Sequence, residues 1–375
     1  MRVALVSGPD PGHLVPMAGL GMRLAGAGHD VVVSTGVRWR DALQRDGMAH
    51  VELPLLAAPD ADRDFGARLS QRPAQMARPL ARALAAFAPE LVVADTLTRA
   101  GGLAAGVLRV PWAELIPHPL VDPSRSLPPF GTGWRPLPLR DTVLRRLTQR
   151  SRRAGERDRA AVFTAAGLTV PAPVVRLVAT LPALEPDRPD WPAKTVIVGP
   201  LRWEPCAVDL PLPTAHGPLV VVVGTTASAG GTDLLNVAVT ALGGTGVRLA
   251  SPRFSAGPSG LPAWVSAGPG RLGPMLLRAS ALVAAGGHGM VAAALTAGVP
   301  LVLLPAAGDQ KEVAARTARA GAAVVASPGT VRRDVLRVLA EPAYAGAARG
   351  AGSSGSAAVD PVPLLEAAVT AVPPR

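Results

Sequence analysis

Short apolar runs alternate with amphipathic stretches along the chain, and the alternation occurs twice. Val3–Ser7, Val31–Ser34, Val51–Leu53, Leu91–Ala94 and Trp112–Leu115 read as strands. They are brief and almost uniformly apolar, as parallel strands buried on both faces are. Between them the pattern predicts helices from Pro16 to about Ala27, over Trp39–Asp46, over Pro73–Phe87, and from beyond Asp95 to about Leu108. Gly12 and His13 fall in the turn before the first helix, and Pro16 suits its first turn. Ile116–Pro138 is a long loop rich in Pro, Gly and Ser, and loops of that length are usually functional. An Arg-loaded helix, Leu139–Ala166, and strands at Val174–Thr180 and Val196–Val198 complete this half.

Glu204–Pro218 holds four prolines and little periodicity, which marks a linker. The pattern then restarts with a strand at Leu219–Val223, a turn at Gly224-Thr225-Thr226, a helix at Asp233–Leu242 and a strand at Val247–Ser251. Leu272–Ala279, Leu282–Ala284, Met290–Ala297, Leu301–Leu304, Lys311–Ala320 and Ala322–Ala326 continue it. The expected fold is α/β, with two doubly wound Rossmann-like domains facing across a cleft. The expected boundaries are 1–203 and 219–345, joined by 204–218. A tail over 346–375 follows, flexible through Gly346–Ser356, with a terminal helix at Pro363–Val372.

Composition narrows the classes. Aromatic residues make up 3% of the chain, too few for the stacking platforms of a nucleic-acid binder. The net charge of +11 comes almost wholly from arginine, since Lys194 and Lys311 are the only lysines. It favours anionic partners such as nucleotide phosphates or an acidic membrane surface. Cys206 is the single cysteine, which fits a reducing compartment. Met1–Val6 runs straight into Ser7-Gly8-Pro9 without the long apolar region of a signal peptide, so a cytoplasmic location is expected. Nine arginines between Arg135 and Arg159, beside Leu137, Leu139, Val143, Leu144 and Leu147, suggest peripheral contact with an anionic membrane. The alternative is that these leucines face the domain core and the arginines form a solvated surface.

Candidate chemistry sits just after strands, where doubly wound sheets bind ligands. His13 follows the first strand and is suited to take a proton from an alcohol. Asp95 ends a strand of the same sheet and can hold the second ring nitrogen of His13; it can equally cap the following helix. Gly286, Gly287, His288, Gly289 and Met290 lie between a strand and a helix, where backbone N–H groups attract phosphate. Thr225 and Thr226 offer hydroxyls from the opposite turn. Asp309 and Gln310 can grip vicinal sugar hydroxyls, or cap the helix that follows. No carboxylate cluster or Cys/His spacing demands a metal, and no cofactor is expected.

Together these residues resemble the family-1 glycosyltransferases of the GT-B fold, in particular the bacterial enzymes acting on natural products and lipids. Gly12-His13-Leu14-Val15-Pro16 resembles the family's entry motif, whose His is the acceptor-activating base. Leu91-Val92-Val93-Ala94-Asp95 resembles the strand carrying its Asp partner. Gly286-Gly287-His288-Gly289-Met290, Ala297-Gly298-Val299-Pro300 and Gly308-Asp309-Gln310 follow the donor-site signature in order and spacing. The chain departs from that pattern at Ala285, Met290 and Ala293, where the family usually has a His, a Thr or Ser, and a Glu. The Trp-Val-Pro segment that stacks on the base is replaced near Gly268-Pro269-Gly270, with Trp264 close by.

The resemblance implies an inverting, metal-independent transferase of a hexose-type sugar. It would move the sugar from a nucleotide-diphosphate donor to a hydroxyl of a small-molecule or lipid acceptor. The departures leave open a catalytically degenerate nucleotide- or glycolipid-binding protein of the same fold. A dinucleotide-dependent oxidoreductase is excluded because no G-x-G-x-x-G follows the first strand.

Overall fold

The computed structural model describes residues 1–56, 70–132, 137–224, 233–306 and 308–371. The expectations placed on Thr225, Thr226 and Arg135 therefore lie outside the described residues. Two parallel sheets organise the chain. The first holds β1 (Arg2–Val6), β2 (Asp30–Thr35), β3 (Ala49–Glu52), β4 (Leu91–Asp95), β5 (Trp112–Ile116), β6 (Arg176–Val178) and β7 (Thr195–Ile197), in the order β3-β2-β1-β4-β5-β6-β7. The second holds β8 (Leu219–Val223), β9 (Arg248–Arg253), β10 (Val265–Pro269), β11 (Ala281–Ala284), β12 (Leu301–Leu303) and β13 (Ala323–Val325), in the order β10-β9-β8-β11-β12-β13. The strand order reverses between β1 and β4 in one sheet and between β8 and β11 in the other. The loops leaving those strands diverge there and open a crevice.

The central strands are buried on both faces, which explains their unbroken apolar runs. β10 was not anticipated. It is an edge strand containing glycine and ending in proline, a composition that hides strand character but is tolerated at an edge. The first helix starts at Pro11, not Pro16, because the Asp10 carboxylate caps the N–H of Gly12 at 2.8 Å and Pro11 occupies the first turn. His13 consequently sits on the first turn of a helix and not in a free loop.

The stretch expected to be flexible is helical over Pro342–Ser353. Its small residues are packing devices: Ala348 and Ala351 are buried, and a Cβ on Gly352 would stand 2.0 Å from the Leu295 carbonyl oxygen. The terminal helix, Pro361–Thr370, crosses back to the first domain, where Val362 and Leu365 enter the core with Leu20, Leu24 and Trp203. The linker is also docked. Glu204 accepts hydrogen bonds from the N–H groups of Leu272 and Gly273, and Asp209 pairs with Arg271 at 2.8 Å.

The Arg-loaded helix runs over Pro138–Ala165. Its leucines do not face the core: Leu139 is 87% exposed, Leu147 57% and Val143 56%. The helix is held by other groups, with Phe163 buried near its end, Arg145 donating to the carbonyls of Arg125 and Leu127, and Arg152 paired with Asp122.

The helix Ala100–Leu108 lies directly on β1 and β4, and it does so through Gly101. A Cβ there would meet the Cβ of Ala94 at 2.6 Å and that of Val6 at 3.0 Å. Gly101→Ala should therefore lose about 1–3 kcal/mol of stability through overpacking, read as a lower midpoint in denaturant unfolding. An unchanged midpoint would mean that the helix can lift from the sheet at no cost.

Candidate active site

The ends of β1 and β4 bring His13 and Asp95 together. The Nδ1–H of His13 donates to Asp95 Oδ1 at 2.5 Å. The other carboxylate oxygen accepts from the Thr98 N–H at 3.1 Å and the Thr98 hydroxyl at 2.7 Å. The Thr98 oxygen in turn accepts from the Gly8 N–H at 2.8 Å, tying the loop after β4 to the loop after β1. Asp95 is 3% exposed, so these donors satisfy a carboxylate that water cannot reach. With Nδ1 committed, His13 presents Nε2 with its lone pair, and that nitrogen has no partner among the described residues.

Burial is the largest influence on His13 and disfavours its charge. The charge and hydrogen bond of Asp95 outweigh it, aided by Asp10 and Asp309, and the His13 pKa lies above its ordinary value. Burial likewise opposes ionisation of Asp95, but His13 and Thr98 hold its pKa below the usual range. His118, two residues beyond β5, was missed by sequence reading. Its place just past a strand end in the long loop was the available signal. It donates through Nδ1 to the Pro119 carbonyl at 2.9 Å and feels the charges of Asp309, His13 and Asp95. Burial dominates and pulls its pKa down.

The donor-side residues lie in the second domain. Gly286 adopts a φ of +92°, and a Cβ there would stand 3.2 Å from the Gln310 carbonyl oxygen. The turn leads into the helix His288–Thr296, whose N-cap, Gly287, supplies no side-chain cap. The first N–H groups of that helix therefore have no capping side chain, the arrangement that suits an anion. Gly289 is exposed and Met290 half-buried. Ala285 and Ala293, at the positions of the departures, are buried among apolar residues. Asp309 precedes the helix Gln310–Arg319 but does not cap it with its side chain, leaving the half-buried carboxylate without a hydrogen bond among the described residues. Gln310 Oε1 accepts from the Ala306 N–H at 2.9 Å, which orients the amide.

His288 differs from the expectation of a phosphate contact. It is 6% exposed, with Nδ1 donating to the Pro117 carbonyl at 2.9 Å and Nε2 accepting from the Thr180 hydroxyl at 2.9 Å. Burial, followed by the charge of His118, pushes its pKa down to about 3. Both nitrogens of this neutral ring link the two domains, and neither is free for an anion.

A second bridge runs beside it. Arg316 pairs with Glu312 on its own helix and with Glu185 of the first domain, each at 2.9 Å. Glu312 also accepts from the Gly131 N–H at 2.9 Å, and Glu185 from the Leu120 N–H. The helix presenting Asp309 and Gln310 is thereby held against the loop presenting His118.

Comparison with known proteins agrees with this arrangement. Residues 275–341, which carry the glycine turn and Asp309-Gln310, match the model of the UDP-glucoronosyl and UDP-glucosyl transferase family. The chain is 27% identical to 4'-demethylrebeccamycin synthase of Lentzea aerocolonigenes, over 98% of this chain and 99% of that protein. Among solved structures, the glycosyltransferase SnogD from Streptomyces nogalater superposes with a TM-score of 0.75 at 24% identity, covering 99% of both chains. SsfS6, a Streptomyces sp. SF2575 glycosyltransferase complexed with thymidine diphosphate, gives a TM-score of 0.69 at 20% identity, covering 98% of this chain and 99% of that one. The resemblance to family-1 glycosyltransferases holds in the GT-B fold and in the donor-side signature.

The His13–Asp95 pair has a pH signature. A raised His13 pKa stabilises the fold fully below the unfolded value of roughly 6.5, and this is lost as pH rises through the folded value. A lowered Asp95 pKa stabilises above roughly 3.9, and this is lost as pH falls. The melting-temperature difference between the wild type and Asp95→Asn should thus be largest between about pH 4 and 6.5. In the same variant the NMR titration midpoint of His13 should drop, since burial is then opposed only by the charges of Asp10 and Asp309. A pH-independent difference with an unmoved midpoint would refute the coupling.

Proposed function

We propose that this chain of GT-B fold is an inverting glycosyltransferase that uses His13 as its base. The observation carrying this reading is the His13–Asp95 hydrogen bond, which leaves Nε2 uncommitted in a ring that the charge of Asp309 also reaches. His13 Nε2 takes the proton of the acceptor hydroxyl as its oxygen attacks the anomeric carbon. The bond from that carbon to the diphosphate oxygen breaks, and the nucleoside diphosphate departs. Asp95 keeps the tautomer and stabilises the imidazolium that forms. A base titrating somewhat above ordinary histidine is well matched to a neutral medium.

The N–H groups opening the helix His288–Thr296 suit the departing diphosphate, through the helix dipole as well as hydrogen bonding. Because His288 is occupied between the domains, the backbone carries this role. Asp309 and Gln310 suit the hydroxyls of a hexose-type sugar. The donor is a nucleoside-diphosphate sugar; thymidine diphosphate in SsfS6 makes dTDP-sugars the first class to try. A small-molecule acceptor is supported by 4'-demethylrebeccamycin synthase, similar over nearly the whole chain.

A thermal-shift panel of UDP- and dTDP-sugars should identify a stabilising donor. With that donor, His13→Ala should keep donor binding near wild type and reduce transfer by about 10²–10⁴-fold. The acid limb of wild-type kcat/KM should have its midpoint above about 6.5, and move to lower pH in Asp95→Asn. A His13→Ala variant with most of its turnover would remove His13 as the base.

The same protein is proposed to dock peripherally on anionic membranes. Leu139, Val143 and Leu147 share one exposed helix face, and Arg146, Arg150, Arg153 and Arg157 continue it. Among the described residues no helix is long and apolar enough to cross a membrane, so contact would be through this face. Each basic residue near an acidic surface contributes on the order of 1 kcal/mol. Co-sedimentation should occur with anionic vesicles at low salt and weaken at moderate salt. Equal binding to neutral vesicles, or retention after these four arginines are changed to Gln, would sink the idea.

A further inference from the structure

A cluster of charges in the first domain joins the middle of β5, the start of β6, the loops after β4 and β5, and the helix Pro138–Ala165. Its carboxylates are fully used. Glu114 accepts from the Thr96 hydroxyl at 3.0 Å with one oxygen and from Arg176 Nε at 2.7 Å with the other. Asp122 accepts from Arg152 at 3.1 Å and from Arg176 at 3.0 Å, again one donor to each oxygen. Glu156 is largely in water and lies 3.7 Å from Arg152.

Arg99 is left over. It is half-buried, its Nε is out of contact with water, and that atom has no hydrogen-bond partner. No ion pair holds its guanidinium among the described residues. Burial is the main influence that disfavours its charge, and Arg159 and Arg152 add repulsion that Glu114 and Glu156 do not cancel. Arginine does not lose its proton in proteins, so this site keeps a positive charge that no carboxylate among the described residues bonds directly. A buried polar group in that condition costs stability unless something outside the chain completes it.

The position of Arg99 indicates what completes it. It follows Thr98, which binds the carboxylate of Asp95, and it precedes the helix Ala100–Leu108. Its backbone therefore stands just beyond the end of β4, four residues from the carboxylate that holds His13. A planar guanidinium with free donors in a partly dry site matches a carboxylate in particular. We infer that Arg99 is a specificity determinant that selects acceptors carrying a carboxylate in addition to the hydroxyl to be glycosylated. This rests on the proposed transfer reaction for the word acceptor, but its binding test does not need turnover.

The probes are 4-hydroxybenzoate, 4-hydroxycinnamate and 7-hydroxycoumarin-3-carboxylate, each beside its methyl ester. Binding is measured on the full chain by calorimetry or fluorescence with saturating nucleoside diphosphate present. Wild type should prefer at least one acid over its ester by about ten- to a hundredfold, the effect of a hydrogen bond to a charged group. R99Q should erase that preference, and R99K should restore part of it. Melting curves of the three proteins separate lost binding from lost folding. No preference in any pair, or the same preference in R99Q, overturns the inference. Acid preference with R99Q sensitivity but no transfer from any nucleotide sugar would count against the proposed reaction and leave the anion site standing.

Discussion

A single buried carboxylate constrains the point where the loops leaving β1 and β4 meet. Asp95 stands at the end of a central strand, shut from water, and an ionised group in such a place is costly by several kcal/mol unless donors surround it. Its donors come from a turn and from a helix. Thr98 supplies two from its own turn, and His13 supplies one from the helix that follows β1. Thr98 is fixed in turn by Gly8. Removing any member leaves another unsatisfied, so the crossing point of the sheet is braced by the same bonds that set the histidine tautomer. Orientation of the imidazole and local stability are here one set of contacts.

The donor half reaches this point by the same geometry. All strands of both sheets run parallel, so their carboxyl ends, and the helix N-termini beyond them, gather on one side of each sheet. Facing the two sides makes a cleft with a histidine–aspartate pair on one wall and uncapped helical N–H groups on the other. The Glu185–Arg316–Glu312 bridge and the His288 ring hold the walls in register. Asp309 lies at the start of the bridged helix, close enough for its charge to be felt by His13.

Much of this was legible in the sequence because apolar runs and glycine turns are local signals. The parallel strands and the Gly286–Gly289 turn declare themselves within a few residues. What stayed hidden depends on contacts distant in sequence. β10 owes its existence to pairing with β9, not to its own Gly and Pro content. The Pro342–Ser353 helix reads as a flexible linker until the backbone of Leu295 arrives against Gly352. Leu139, Val143 and Leu147 resemble a core face, yet nothing among the described residues covers them, because the helix is held by Phe163 and by arginine contacts. The role of His288 was the least accessible of all. Its neighbours in sequence form a phosphate-like turn, while its own ring is committed to Pro117 and Thr180, more than a hundred residues away.

The chemistry of that commitment bears on how the cleft works. At this seam polar groups join the domains, namely an imidazole with a hydroxyl and a carbonyl, carboxylates with backbone N–H groups, and a guanidinium with two carboxylates. Beside them, Leu181 and Leu184 of the first domain are buried in the core of the second. An apolar seam would lose the full hydrophobic gain on opening, about 25 cal/mol for each Å² exposed. Polar partners exchange their bonds for bonds to water, so each contributes only about 0.5–1.5 kcal/mol net. Charged groups also regain hydration when the walls part. The polar contacts therefore specify one arrangement of the two walls closely, while the burial of Leu181 and Leu184 supplies the larger part of what holds it.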